Sequence, residues 1–191
     1  MTRDAERPLR ADAQRNRDKI LAAAVRVFAE EGLDAHLERI AREAGVGTAT
    51  LYRNFPTREA LVEAAHRNEV AQLCAAVPGL LAAKPPYEAL RAWTRLFMDY
   101  ATAKLGMADA LRAIAASGGS SYADSHDMIR AAIAALMDAC TAAGTIRSDI
   151  SPADMFAALA GIALTSAKPE QRQQAERLLD LTLDGLKPAR T

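Results

Sequence analysis

The chain has 191 residues, half of them hydrophobic, and its 24 basic and 24 acidic side chains leave no formal net charge. This length provides for one domain or two small ones, and the balanced charge argues against a protein that holds nucleic acid by bulk positive charge alone. No apolar stretch approaches the roughly 20 residues that span a bilayer, which excludes a membrane-spanning helix.

The composition is rich in alanine and poor in glycine, and no alternating β-branched run predicts a strand. We therefore expect an all-α fold. Residues 1–11 are polar and contain Pro8, which predicts a flexible arm without the apolar core of a signal peptide. A cytoplasmic location is expected. Residues 12–31 predict the first helix, and Gly32 ends it. Its apolar stripe consists of Ile20, Ala23, Ala24, Val27 and Phe28.

Residues 37–55 predict two short helices joined by a tight turn. Leu37, Ile40, Ala41 and Ala44 follow the i, i+3, i+4, i+7 spacing of one apolar helix face. Gly45 ends this helix because glycine tolerates the left-handed conformation that follows a helix. Small Ala41 allows a second helix to cross closely, and Val46 fills the corner. This layout is that of a DNA-binding helix-turn-helix.

The second helix of the motif is predicted over Thr48–Asn54, with Leu51 and Phe55 turned inward. Its outward side chains are Thr48, Ala49, Tyr52 and Arg53, with Thr50 and Asn54 at the flanks. Hydroxyl groups bond phosphate oxygens and arginine bonds guanine or phosphate, so this face suits DNA. The alternative is an ordinary helical hairpin with a polar, solvated face.

The run IAREAGVGTATLYRNFPTREAL resembles the N-terminal domain of TetR-type transcriptional regulators over about residues 15–65. The matching motifs are Ile40-Ala41, Ala44-Gly45-Val46, Thr50-Leu51-Tyr52-Arg53-Asn54-Phe55 and Arg58. The resemblance implies about nine helices: a DNA-binding domain over residues 12–56, then a regulatory and dimerisation domain over residues 57–191. It also implies a double-stranded operator, a small-molecule effector and a homodimer, with no cofactor.

Three positions depart from the family pattern. His36 stands where the family usually has Thr or Ser, Gly47 where serine is common, and Ala49 where glycine is common. We keep all three in the predicted DNA-binding surface, together with Thr48, Thr50, Tyr52, Arg53, Asn54 and Arg58. Phosphate contacts are also expected from one or more of Arg15, Arg17 and Lys19. The arm of residues 1–11 either reaches a minor groove or is a simple tail.

After the motif, Thr57 is a predicted N-cap for a helix from Arg58 to about residue 77, where Pro78-Gly79 marks its end or a kink. Five further helices are predicted over residues 87–104, 106–116, 121–143, 152–165 and 170–186. Cys74 and Cys140 lie in helical segments, as reduced buried side chains or as a redox pair.

Trp93, Phe97 and Tyr100 are spaced four and then three, which places these aromatic side chains on one helix face. They form either core packing or an effector pocket, since small-molecule sites are apolar with a few polar groups. Met107, Tyr122 and His126 are the further candidates for such a pocket.

The last two helices predict a homodimer, because their apolar residues occupy more than one face. The predicted interface residues are Phe156, Leu159, Ile162, Ala163, Leu179, Leu183 and Leu186.

The leading hypothesis is a repressor that an effector releases from a palindromic operator. An activator of the same architecture and a helical interaction protein remain alternatives. An enzyme is not expected, because the histidines are scattered and no metal or nucleophile motif occurs.

Overall fold

The computed structural model describes the backbone of residues 6–116, 121–166 and 169–188, and their side chains from residue 12 onward apart from Leu33, residues 121–123 and Pro169. Within these ranges the chain forms nine α-helices and no strand: α1 (Glu6–Glu31), α2 (Leu37–Glu43), α3 (Thr48–Asn54), α4 (Arg58–Ala83), α5 (Pro86–Leu105), α6 (Ala108–Ala116), α7 (Ser121–Ala142), α8 (Pro152–Thr165) and α9 (Arg172–Gly185). The predicted all-α fold is confirmed. None of the described helices is long and apolar enough to cross a membrane.

The first helix starts earlier than the sequence predicts. α1 begins at Glu6, so the predicted arm is wrong for residues 6–11, whose backbone is helical. Pro8 is tolerated because it occupies the first turn, where backbone N–H groups have no partner within the helix. Residues 1–5 of the predicted arm lie outside the described residues.

Packing divides the chain into two units that do not follow the predicted boundary near residue 57. The first unit comprises the chain up to Asn68 and the segment from Gly106 that carries α6. The second comprises Glu69–Leu105 and the described chain from α7 onward. The continuous helix α4 therefore contributes to both units. Its residues up to Asn68 belong to the first unit with α1–α3, and Leu61 and Val62 among them are fully buried.

Helix α6 joins the first unit through a close backbone contact. A Cβ atom on Gly106 would lie 2.2 Å from the carbonyl oxygen of Phe28 in α1, so only glycine fits at this position without a shift of the backbone. Met107 and Leu111, which follow, are almost completely buried. The chain segment after α5 thus belongs to the core around α1.

The turn between α2 and α3 is a glycine-dependent helix end. Gly45 has a φ of +67°, which disfavours any residue with a Cβ atom. The N–H of Val46 donates to the carbonyl of Ala41 at 3.0 Å, and the N–H of Gly45 donates to the carbonyl of Arg42 at 3.1 Å. These two bonds define a Schellman motif and satisfy carbonyls that the helix end leaves open. The predicted span of α3 is confirmed.

The predicted end of the fourth helix near residue 77 is wrong, because α4 continues through Pro78 to Ala83. A proline inside a helix costs about 3 kcal/mol. Burial offsets this cost, since Val77 is buried and Leu80 and Leu81 pack against the core of the second unit.

The core of the second unit is formed by the second half of α4 together with α5, α7, α8 and α9. Trp93 is completely buried, and its Nε1–H donates to the carbonyl of Leu73 at 2.9 Å. α8 starts where Ser151-Pro152 predicts. The Ser151 hydroxyl accepts from the N–H of Asp154, whose carboxylate accepts from the N–H of Ser151.

Replacement of Gly45 by alanine should lower the free energy of unfolding by about 1–2 kcal/mol, because a Cβ atom is strained at a positive φ. Gly47→Ala is the matched control. Its Cβ atom also meets open space, but its φ is −69°, which alanine adopts readily. We expect a change within about 0.5 kcal/mol for this control. Urea denaturation followed by circular dichroism measures both, and equal losses would contradict the role given to the turn.

Candidate nucleic-acid interface

Helix α3 has one buried face and one solvent-facing face. Leu51 is completely buried and Phe55, which caps the helix, is nearly so. On the other face Tyr52 keeps 42% of its surface exposed, and Ala49 and Arg53 are exposed too. An aromatic side chain this exposed is accessible to a partner. The predicted contact side chains thus lie on the accessible face of α3.

The polar side chains of α3 bond mostly to the helix itself. Arg53 donates from Nε to the carbonyl of Ala49 at 3.3 Å and from Nη2 to the Thr50 hydroxyl at 3.1 Å. The Asn54 amide donates to the carbonyl of Thr50 at 2.8 Å. These partners are uncharged, so the positive charge of Arg53 is not neutralised by them and is available to phosphate or guanine.

The residues at the ends of the motif helices fall where the sequence places them. His36 and Gly47 are the N-cap residues of α2 and α3, and both are exposed. The His36 side chain makes no cap hydrogen bond, and Gly47 has no side chain to make one. Half-buried Thr48 begins α3, and half-buried Arg58 begins α4. The Thr57 hydroxyl accepts from the N–H of Ala60 at 3.1 Å, which confirms the predicted cap of α4. DNA contact by these residues remains a prediction.

Several arginines of the first unit stabilise its scaffold. Arg39 of α2 pairs with both Glu30 and Glu31 at the end of α1. Arg26 of α1 pairs with Glu43 of α2 at 2.7 Å. Sequence spacing does not reveal these pairs, because their partners lie 8 to 17 residues apart and meet only in the folded unit. These pairs join α1 to α2 at the surface of the first unit.

The predicted pocket residues are partly brought together in the second unit. The ring centroids of Trp93 and Phe97 are 5.9 Å apart, as are those of Phe97 and Tyr100. Phe156 of α8 lies 6.3 Å from Phe97 and 5.3 Å from His126 of α7. Trp93 serves the core, since it is completely buried and its N–H is bonded to backbone.

The other two pocket candidates are Met107 and Tyr122. Met107 belongs to the first unit, and the side chain of Tyr122 lies outside the described residues. An effector site at Phe97, Tyr100 and His126 stays a prediction. Partial burial lowers the pKa of His126 below its usual range, and the positive charges of Lys104 and Arg130 lower it further. The imidazole is therefore neutral near pH 7.

The predicted dimer interface stays a prediction, and most of its residues lie in the core of their own chain. Six of the seven are buried in the core of their own chain, and Phe156 packs against that core. The six are Leu159, Ile162, Ala163, Leu179, Leu183 and Leu186. Buried side chains have little surface left to cover against a second copy. The helical spacing shows two apolar faces but not which of them meets the core. The outward apolar residues are Leu164 and Leu181, which are 71% and 70% exposed.

The first unit contains three helices, and a glycine turn places the third of them with a polar face exposed to solvent. This arrangement is that of a helix-turn-helix DNA-binding regulator. Residues 20–65 match the family of bacterial regulatory proteins, tetR family, and residues 85–188 match the C-terminal domain of SbtR-like transcriptional regulators. The chain belongs to the TetR family of transcriptional regulators. This family is one of non-enzymatic DNA-binding proteins, which confirms that the chain is not an enzyme.

Solved structures show the same relationship over nearly the whole chain. The TetR transcriptional regulator SCO0520 from Streptomyces coelicolor is 78% identical, with 91% of this chain and 99% of that chain covered and a TM-score of 0.87. A TetR transcription regulatory protein from Mycobacterium vanbaalenii is 35% identical, with 95% and 100% covered and a TM-score of 0.78.

An HTH-type transcriptional regulator from Staphylococcus aureus (strain USA300) is 43% identical over 54 residues, which make up 28% of this chain and 29% of that protein. The chain thus matches less than a third of the length of such curated relatives.

The lowered pKa of His126 predicts a loss of stability in acid. The unfolded histidine titrates at about pH 6.5. The unfolded state therefore binds more protons between the two pKa values, and stability falls as the pH falls through this window. The urea concentration at the midpoint of unfolding should fall when the pH is lowered from about 7.5 to about 5.5, and this fall should be smaller for His126→Gln than for the wild type. His36→Gln, at an exposed position, is the control; an equal effect of both substitutions would contradict the assignment.

Proposed function

We propose that this regulator is a repressor that binds a palindromic operator as a homodimer and leaves it when a small molecule binds the second unit. The observation that carries the DNA part is the accessible face of α3. Tyr52 and Arg53 project from a helix whose other face is buried, so the helix enters a major groove without unpacking the unit. Thr48, Ala49, Thr50 and Asn54 border them, and His36, Gly47 and Arg58 lie at the edges of this surface.

The dimer part is supported by the outer faces of α8 and α9. Leu164 and Leu181 expose more surface than the other large hydrophobic side chains described. Ala157 and Gly161 precede Leu164 on α8 at spacings of one helical turn, and both are exposed. Small residues let a second helix approach closely, while leucines bury apolar area. A two-fold dimer matches a palindrome with half-sites about 34–36 Å apart or a multiple of that distance.

The effector part is supported by the aromatic cluster of Phe97, Tyr100 and Phe156 with neutral His126 beside it. An apolar site with two polar groups, the Tyr100 hydroxyl and the His126 imidazole, suits a small molecule. α4 is one continuous helix shared by both units, so it is the proposed route from effector to DNA. The effector acts only if it binds the released state more tightly than the operator-bound state.

Two substitutions on α3 test the DNA surface. Tyr52→Ala and Arg53→Ala should each weaken operator binding about tenfold or more, because each removes a groove contact worth about 1–3 kcal/mol. Helix content should not change, since both side chains are exposed. Binding is measured by gel shift on a duplex that the wild-type chain selects from a random pool.

Arg112→Ala is the control for these variants, because Arg112 is an exposed arginine on α6 that pairs with Asp109. It should bind like the wild type. If Tyr52→Ala and Arg53→Ala bind as tightly as Arg112→Ala, the recognition surface lies elsewhere.

The dimer surface is tested by charge. Leu164→Glu together with Leu181→Glu should shift the mass measured by light scattering from dimer to monomer, because carboxylates would be buried at the proposed interface. Leu96→Glu is the control, since Leu96 is also an exposed leucine but lies on α5. A double variant that stays dimeric, or a wild type that is monomeric, would contradict this interface.

A further inference from the structure

Arg17 of α1 lies against the C-terminal end of α3. Its guanidinium carbon is 4.6 Å from the ring centroid of Phe55, the residue that caps α3. Phe55 is nearly buried, so the ring is a fixed surface, whereas Arg17 is only half-buried. The long arginine side chain is thereby held beside the DNA-facing helix.

The charge of Arg17 distinguishes it from its neighbours. Arg15, Arg26 and Arg39 of the same unit each pair with a carboxylate. Within the described part of the chain, Arg17 contacts the ring of Phe55 and pairs with no carboxylate. A guanidinium stacked on a ring keeps its N–H donors at its edge, in the plane that suits phosphate oxygens. Arg17 therefore has both the charge and the free donor edge of a phosphate ligand.

The position of Arg17 favours phosphate over base contact. The major groove is about 12 Å wide and admits one helix, which here is α3. α1 packs outside that helix, so a side chain that reaches from α1 to the end of α3 meets the sugar–phosphate wall of the groove. The ring restricts the side chain before DNA arrives, which reduces the conformational entropy that binding costs.

We propose that Arg17 is a phosphate contact of the DNA complex and that the ring of Phe55 holds it in position. The proposal rests on the DNA-binding function proposed above and adds a second helix to the interface. Each phosphate that a basic side chain neutralises contributes about −0.9 to the slope of log affinity against log salt concentration. The contact of Arg17 is therefore measurable as a change in this slope.

The test measures the affinity of a wild-type-selected duplex by fluorescence anisotropy over a series of salt concentrations. Arg17→Gln should weaken binding about tenfold and make the salt slope shallower by about 0.9. Arg17→Lys keeps the charge but loses the planar group over the Phe55 ring. Its salt slope should equal that of the wild type, and its affinity should lie between those of the wild type and Arg17→Gln. Thermal unfolding of each variant checks that the first unit remains folded.

Arg67→Gln is the matched control. It makes the same change on α4 in the first unit, where Glu63 already pairs with the arginine at 3.1 Å. Its slope should equal that of the wild type. The proposal is overturned if Arg17→Gln keeps the wild-type slope and affinity, or if Arg67→Gln weakens binding and lowers the slope as much as Arg17→Gln. Should Arg17→Gln fold poorly, Arg17→Met takes its place, because it keeps a long side chain without the charge, and a wild-type slope for it overturns the phosphate contact. An affinity of Arg17→Lys equal to that of the wild type overturns the holding role of Phe55.

The outcome separates this proposal from the proposed function. A wild-type chain that selects no duplex contradicts DNA recognition itself, and the Arg17 contact with it. A wild-type chain that binds its duplex, with Arg17→Gln unaffected, overturns the Arg17 contact alone.

Discussion

The left-handed backbone at Gly45 sets the start of α3 and so decides which side chains of that helix face solvent. With φ at +67° and the N–H of Val46 bonded to the carbonyl of Ala41, the chain leaves α2 in one direction only. Leu51 and Phe55 then fall on the buried side. Everything proposed for DNA binding follows from that placement, including the contact between Phe55 and Arg17.

Local signals predicted the motif well, and distant packing explains where prediction failed. The glycine turn and the spacing of apolar residues are local, and α3 spans the predicted Thr48–Asn54. Pro78 misled the prediction because α4 continues through it, with Leu80 and Leu81 packed against the core of the second unit. Two apolar faces on α9 were predictable, but the choice of Leu179 for the core and Leu181 for solvent depends on neighbouring helices.

The net charge of the sequence also did not predict which arginines are available for DNA. The chain has no net charge, which by itself argues against binding of nucleic acid by bulk positive charge. The distribution of ion pairs matters more than this sum. Arg26 and Arg39 stabilise the packing of α1 on α2, and their acidic partners are neutralised there. Arg53 keeps its charge on the open face of α3. Because these pairs form between separate helices, sequence spacing did not predict which arginines remain available for DNA.

Protection of guanine N7 from dimethyl sulfate tests most directly whether α3 enters a major groove, because N7 lies in that groove. The wild-type chain is bound to its selected duplex, and methylation is mapped on both strands. The account predicts two protected patches related by two-fold symmetry, with centres about one helical turn or a multiple of it apart. Unprotected guanine N7 atoms in a fully bound, guanine-containing site, or a single asymmetric patch, would contradict recognition by a dimer through α3.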